Sequence, residues 1–178
     1  DLRSNNGNIT SNGQIDDSAC DGDCDGFNSL EVYANNNVAF NSDVGAINPL
    51  DHLYVNANAT TIDANITTDG YQTYDTHLWI GDSDGRTVTL RSNYDNITFN
   101  GPIDDNGSSS GTNSLEVVAN NNVAFNSDVG AINPLDHLYV NANATTIDAN
   151  ITTDGYQTYD THLWIGNSNP DYNRTVTL

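Results

Sequence analysis

A block of 53 residues occupies positions 29–81 and returns at 114–166, 85 positions later, with Tyr33 against Val118 as its one change. Leu2-Arg3-Ser4 recurs as Leu90-Arg91-Ser92 at a spacing of 88, and Leu178 lies 88 beyond Leu90. Two units with a repeat spacing of 88 therefore tile the chain, residues 1–89 and 90–178. The two spacings differ because unit one has a longer Cys- and Asp-rich loop within 16–28, and unit two a longer loop at 167–173. Insertions confined to loops leave repeated strands in step.

The block repeats at a finer scale. Leu30-Glu31-Val32-Tyr33-Ala34, Leu53-Tyr54-Val55-Asn56-Ala57 and Leu78-Trp79-Ile80-Gly81 each alternate apolar and other residues, and they start 23 and 25 positions apart. That is strand period with a rung-sized return. Short strands joined by Asn, Asp and Gly corners describe an all-β chain, a parallel β-solenoid or β-helix. The inward set reads Leu30, Val32, Ala34, Val38, Phe40 and Val44, then Leu53, Val55, Ala57, Ile62 and Ile66, then Leu78 and Ile80. If each leading Leu stacks on the last, the outward neighbours Glu31, Tyr54 and Trp79 form one column, repeated in unit two by Tyr139 and Trp164. Aromatics in register at the surface suit a sugar platform or a lateral packing seam.

Composition agrees with solenoid corners. Asn supplies 29 residues, Lys and Met are absent, and Glu31 and Glu116 are the two glutamates. Asn, Asp, Gly and Thr favour turns over helix interiors. The net charge is −20, with four Arg as the only fixed cations. Nucleic acid is therefore not an expected partner, because nothing here displaces phosphate counterions. Such acidity suits an extracellular surface, divalent cations or a salty habitat. No apolar run reaches the length of a membrane span. The chain begins without Met and with no signal peptide, which reads as a mature or excised portion of something longer.

Asp21, Asp23 and Asp25, followed by Gly26, reproduce the front half of an EF-hand loop and mark a candidate calcium site. Position twelve is Val32 instead of the bidentate Glu, so a solvated acidic corner remains the other reading. Cys20 and Cys24 in the same loop admit a local disulfide, which implies an oxidising compartment, or else free thiols or an intermolecular bridge. His52 and His77 precede the leading Leu of their strands, with Asp51 and Asp75 nearby, and His137 and His162 repeat them. A stacked pair could bind a transition metal, whereas two solvent-facing strand-entry residues explain the same spacing. No residue set points to catalysis.

Words such as Asn96-Ile97-Thr98-Phe99-Asn100-Gly101, Asn122-Val123-Ala124-Phe125-Asn126 and Tyr156-Gln157-Thr158-Tyr159 resemble the repeats of very large bacterial surface exoproteins of the filamentous-haemagglutinin-like class. The resemblance covers both units except the 20–25 insertion. It implies a secreted right-handed β-helix that forms a stalk or filament in adhesion, cell aggregation or a biofilm matrix. An extracellular glycan-binding β-helix module is the alternative. Because Leu2, Leu90 and Leu178 share one repeat position, identical copies are expected to stack head to tail, at about three to four rungs of 4.8 Å per unit. Neighbouring filaments or cell-surface glycans are the other expected partners.

Overall fold

The structure, a computed structural model, describes all residues except 19–26, 108–110, 167–174 and 178. Thirteen strands follow in order: β1 (Leu2–Ser4), β2 (Ile9–Ser11), β3 (Leu30–Phe40), β4 (Leu53–Ile62), β5 (Ile66–Thr68), β6 (Gln72–Ile80), β7 (Thr87–Ser92), β8 (Ile97–Phe99), β9 (Ile103–Asp105), β10 (Ser114–Ala119), β11 (Asn122–Phe125), β12 (Leu138–Ile147) and β13 (Gln157–Ile165). Every pairing between them is parallel. No helix occurs among the described residues, and none could cross a membrane. The chain is an all-β parallel solenoid, as its periodicity requires.

Three columns of inward side chains define three faces. The first face stacks Leu2, Val32, Val55, Tyr74, Phe99, Phe125, Ile147 and Ile165. On the second stand Ile9, Val38, Thr60, Leu78, Ile103, Val129 and Ile151. The third carries Ile15, Val44, Ile66, Leu90, Val117, Val140 and Tyr159. Each turn visits the faces in that order, and burying these columns against one another is the main stabilising term. β3, β4 and β6 each run over a corner from the first face to the second. A register break between Ala34 and Asn37, matched between Asn56 and Ala59, marks that corner.

The inward set read from the sequence is inward, but one turn is assigned differently. Leu53 is followed on its face by Gln72, and Leu78 stacks on Thr60 instead. A polar word, Gln72-Thr73-Tyr74, takes the strand position because its polar groups satisfy each other inside. The Tyr74 hydroxyl donates to Gln72 Oε1 at 2.7 Å, and Gln72 Nε2 donates to the Arg91 carbonyl at 2.6 Å. A hydrogen-bonded buried polar pair carries little net penalty. Tyr74 then stacks on Phe99 with ring centroids 5.5 Å apart, and Phe99 on Phe125 at 5.1 Å, giving the narrow core an aromatic spine.

The Asn content is spent at corners. Asn41 Nδ2 donates to Asn12 Oδ1 at 2.8 Å and Asn126 Nδ2 to Asn100 Oδ1 at 2.7 Å, each reaching the neighbouring turn. Asn65 and Asn96 accept from the backbone N–H groups of Thr89 and Asn122. Corner backbone that no ladder pairs is satisfied in this way. At Gly45 and Gly130, φ is +68° and +69°, and an added Cβ would lie 2.1 Å from the carbonyl oxygen of Thr67 or Thr152. Only glycine fits there.

Identical sequence does not mean an identical face. Leu2 to Tyr74 is three turns on the first face, and Leu90 lies two faces further. An 88-residue unit therefore makes three and two-thirds turns, so a turn averages 24 residues. Val32, on the first face, becomes Val117 on the third; Val44, on the third, becomes Val129 on the second.

Candidate functional site

The Asp pairs at 16–17 and 104–105, 88 positions apart, anchor the loops. Asp104 Oδ1 accepts the N–H groups of Ile132 (2.8 Å) and Asn133 (3.0 Å), and its Oδ2 accepts His77 Nε2 at 2.8 Å from the turn before. Asp16 Oδ1 accepts Ile47 and Asn48 in the same way, at 2.9 and 3.3 Å. Asp105 is fully buried. Burial opposes its ionisation, but donors from Thr112, Gly107 and Asn113 outweigh that and hold its carboxyl below the usual range. Asp17 plays that part in unit one, accepting from Phe27 (2.8 Å) and Asn28 (2.9 Å). Apolar patterning does not assign these four residues; the recurrence of Ile-Asp-Asp at 15–17 and 103–105 is the sequence signal that marks them.

The aromatic column is corrected by the fold. Glu31 and Tyr54 are in register, but the next member is Thr73. Trp79 stands on Thr61 of the second face, with its ring stacked on His77 at 4.4 Å. Likewise Tyr139 faces Thr158 on the third face while Trp164 pairs with Thr146 on the first. The shift follows from the hydrogen-bonded Gln72–Tyr74 strand, which brings the next rung in six residues before Leu78. An aromatic pair does exist, between Tyr33 and Tyr54 with centroids 5.5 Å apart, and Arg3 lies 4.1 Å over the Tyr33 ring.

The histidines do not stack on each other. His52 stacks on Tyr71 at 4.4 Å, and its Nδ1 lies 3.0 Å from Asp51 Oδ2 and 2.8 Å from Ser29 Oγ. Both oxygens share one ring nitrogen, so the set has no relay geometry. No group of three or more His, Cys, Asp or Glu poised for a metal occurs among the described residues. The calcium candidates Asp21, Asp23 and Asp25, and the pair Cys20 and Cys24, lie outside the described residues.

What the fold does bring together is a pair of edges. β6 and β13 spell the same nine residues, Gln-Thr-Tyr-Asp-Thr-His-Leu-Trp-Ile. β6 is covered by β8 and β9, and Ile80 is 0% exposed. Among the described residues no strand stands on β13, and those that return, 175–177, meet the second face instead, where the Thr177 carbonyl accepts the Ile151 N–H at 3.0 Å; Ile165 and Trp164 are 53% and 57% exposed. At the other edge, among the described residues, β2 and Ile15 pair on one side only, with β3 and Val44. β2 and Ile15 are the unit-one counterparts, 88 positions earlier, of β8 and Ile103.

Comparison with family models, with curated proteins and with solved structures finds no match to this chain.

Proposed function

We propose that the chain is a structural repeat of a secreted, filament-forming surface protein, an adhesin, stalk or matrix fibre, whose units stack head to tail. The observation that carries this reading is the internal junction. Unit two stands on unit one through continuous parallel ladders, β6 with β8 and β9, and β5 with β7 and then β10. A unit that accepts its own copy at one end accepts another at the next, and such a contact gives an open fibre. The acidic surface keeps neighbouring fibres apart at low salt. The test is concentrated protein in 0.15 M salt, viewed by electron microscopy and fibre diffraction. Fibres one solenoid wide with a 4.8 Å axial reflection support the proposal; a stable soluble monomer overturns it.

A second reading, glycan binding, is favoured by a cavity of about 350 Å³ where Glu116, His137, Tyr139 and Tyr156 converge. Aromatic faces beside polar groups suit sugars. Glycan binding by the protein that Tyr156→Ala abolishes would support it.

A further inference from the structure

The two edges are complementary in detail. On β6, Gln72 lies in register with Ile97, Thr73 with Thr98, Leu78 with Ile103, and Trp79 with Asp104. Every one of these residues has a counterpart at an open edge. Gln157, Thr158, Leu163 and Trp164 stand on β13, while Ile9, Thr10, Ile15 and Asp16 stand on the opposite edge. The His77–Asp104 hydrogen bond is split the same way. His162 is already stacked on Trp164 at 4.5 Å, as His77 is on Trp79. Asp16 already holds Ile47 and Asn48 through Oδ1, as Asp104 holds Ile132 and Asn133. Among the described residues, neither His162 Nε2 nor Asp16 Oδ2 has a partner.

We infer that β13 of one molecule is covered by the β2 edge of a second copy of this chain, with Gln157 on Ile9, Leu163 on Ile15, and His162 bonded to Asp16. The inference rests on the head-to-tail reading and gives it a register and an angle. Gln157 lies on the third face and Ile9 on the second; Leu163 lies on the first and Ile15 on the third. All contacts are met by one rotation, so the second molecule turns by one face, a third of a turn. Leu178 and Leu2 hold the same repeat position, so a junction between separate chains seats one of the two.

At one position the edges depart from the internal junction. Ser11 stands where Phe99 stacks on Tyr74, so Tyr159 finds no ring in the next molecule. Stacking between molecules is therefore weaker than stacking between units, and Ser11→Phe should lower the critical concentration for assembly about tenfold.

The test is a disulfide ladder in a Cys20→Ser, Cys24→Ser background. Thr10 and Thr158 are both exposed, and the proposed register sets their Cα atoms at cross-strand distance, within disulfide reach. Thr10→Cys with Thr158→Cys should give oxidised multimers in steps of one chain; Thr10→Cys with Asp160→Cys, two residues out of register, should not. Fibres that form without the Thr10 to Thr158 ladder, or that cross-link equally through Asp160→Cys, overturn the register and leave the filament reading standing. Absence of both fibres and ladder overturns both. A Ser11→Phe variant that assembles no better than the parent also counts against the register.

Discussion

Val32 and Val117 sit in matching sequence 85 positions apart, yet they enter the core from different faces: Val32 is stacked between Leu2 and Val55, Val117 between Leu90 and Val140. The repeat is therefore a unit of winding and not of orientation. Any surface feature encoded once per 88 residues, such as the His–Trp stack at 77 and 79, advances two faces per unit and spirals around the shaft. Three units, or eleven turns, bring it back to the face where it began.

The aromatic spine makes a prediction about stability. Phe99 is fully buried between Tyr74 and Phe125, so Phe99→Ala should cost about 3–5 kcal/mol in urea unfolding. Trp79→Ala, on an outward position, should cost less than half of that. Equal losses would mean that Trp79 belongs to the core.

Acid should weaken the fold through Asp105, which accepts the backbone N–H groups of Gly107, Thr112 and Asn113. Its folded-state carboxyl lies below the unfolded value of about 3.9, so its stabilisation is complete above that pH and is lost as pH falls through the folded value. Asp105→Ala, which orphans the donors of Thr112, Gly107 and Asn113, should cost about 1–3 kcal/mol at neutral pH. It should also flatten the acid limb of the stability curve. A variant with the parent's pH profile would assign that limb to other carboxylates.

Gly45→Ala combines a left-handed backbone with a 2.1 Å approach to Thr67, and should cost about 2–4 kcal/mol. Gly85 has φ +81° and open space around it, so Gly85→Ala should cost about 1 kcal/mol from backbone strain alone. Thermal melts of the two variants give the comparison.

The solenoid and its inward residues were legible because alternation and a 20-odd-residue return leave few other folds. The stacking partners were less so. Leu30, Leu53 and Leu78 look like one series, but rung length is free to vary at corners, and here it runs from Leu53 to Gln72 and then to Ile97. A buried Gln is invisible to apolar patterning, because its place depends on a Tyr hydroxyl two residues away. The His77–Asp104 bridge was equally hidden, since its partners lie 27 positions apart and meet only once the turn is closed.

Assembly should be visible in tryptophan fluorescence. Trp79→Phe leaves Trp164, 57% exposed at the open edge, as the one indole. Its emission should shift to the blue and its quenching by acrylamide should fall when fibres form, as a second molecule covers β13. The same change should grow with salt, because a net charge of −20 on each copy opposes contact until it is screened. Emission that stays constant through fibre formation would place the contact elsewhere.

Helical reconstruction of the fibres by electron cryomicroscopy tests the winding and the stacking together. Two units of three and two-thirds turns give seven and one-third turns per 178-residue chain, an axial rise of about 35 Å at 4.8 Å per turn. The expected result is that rise, with each chain rotated by one face, a third of a turn, beyond the slow coil of the sheets. A chain that advances by a whole number of turns, with the β13 edges of successive molecules on the same face, would contradict it.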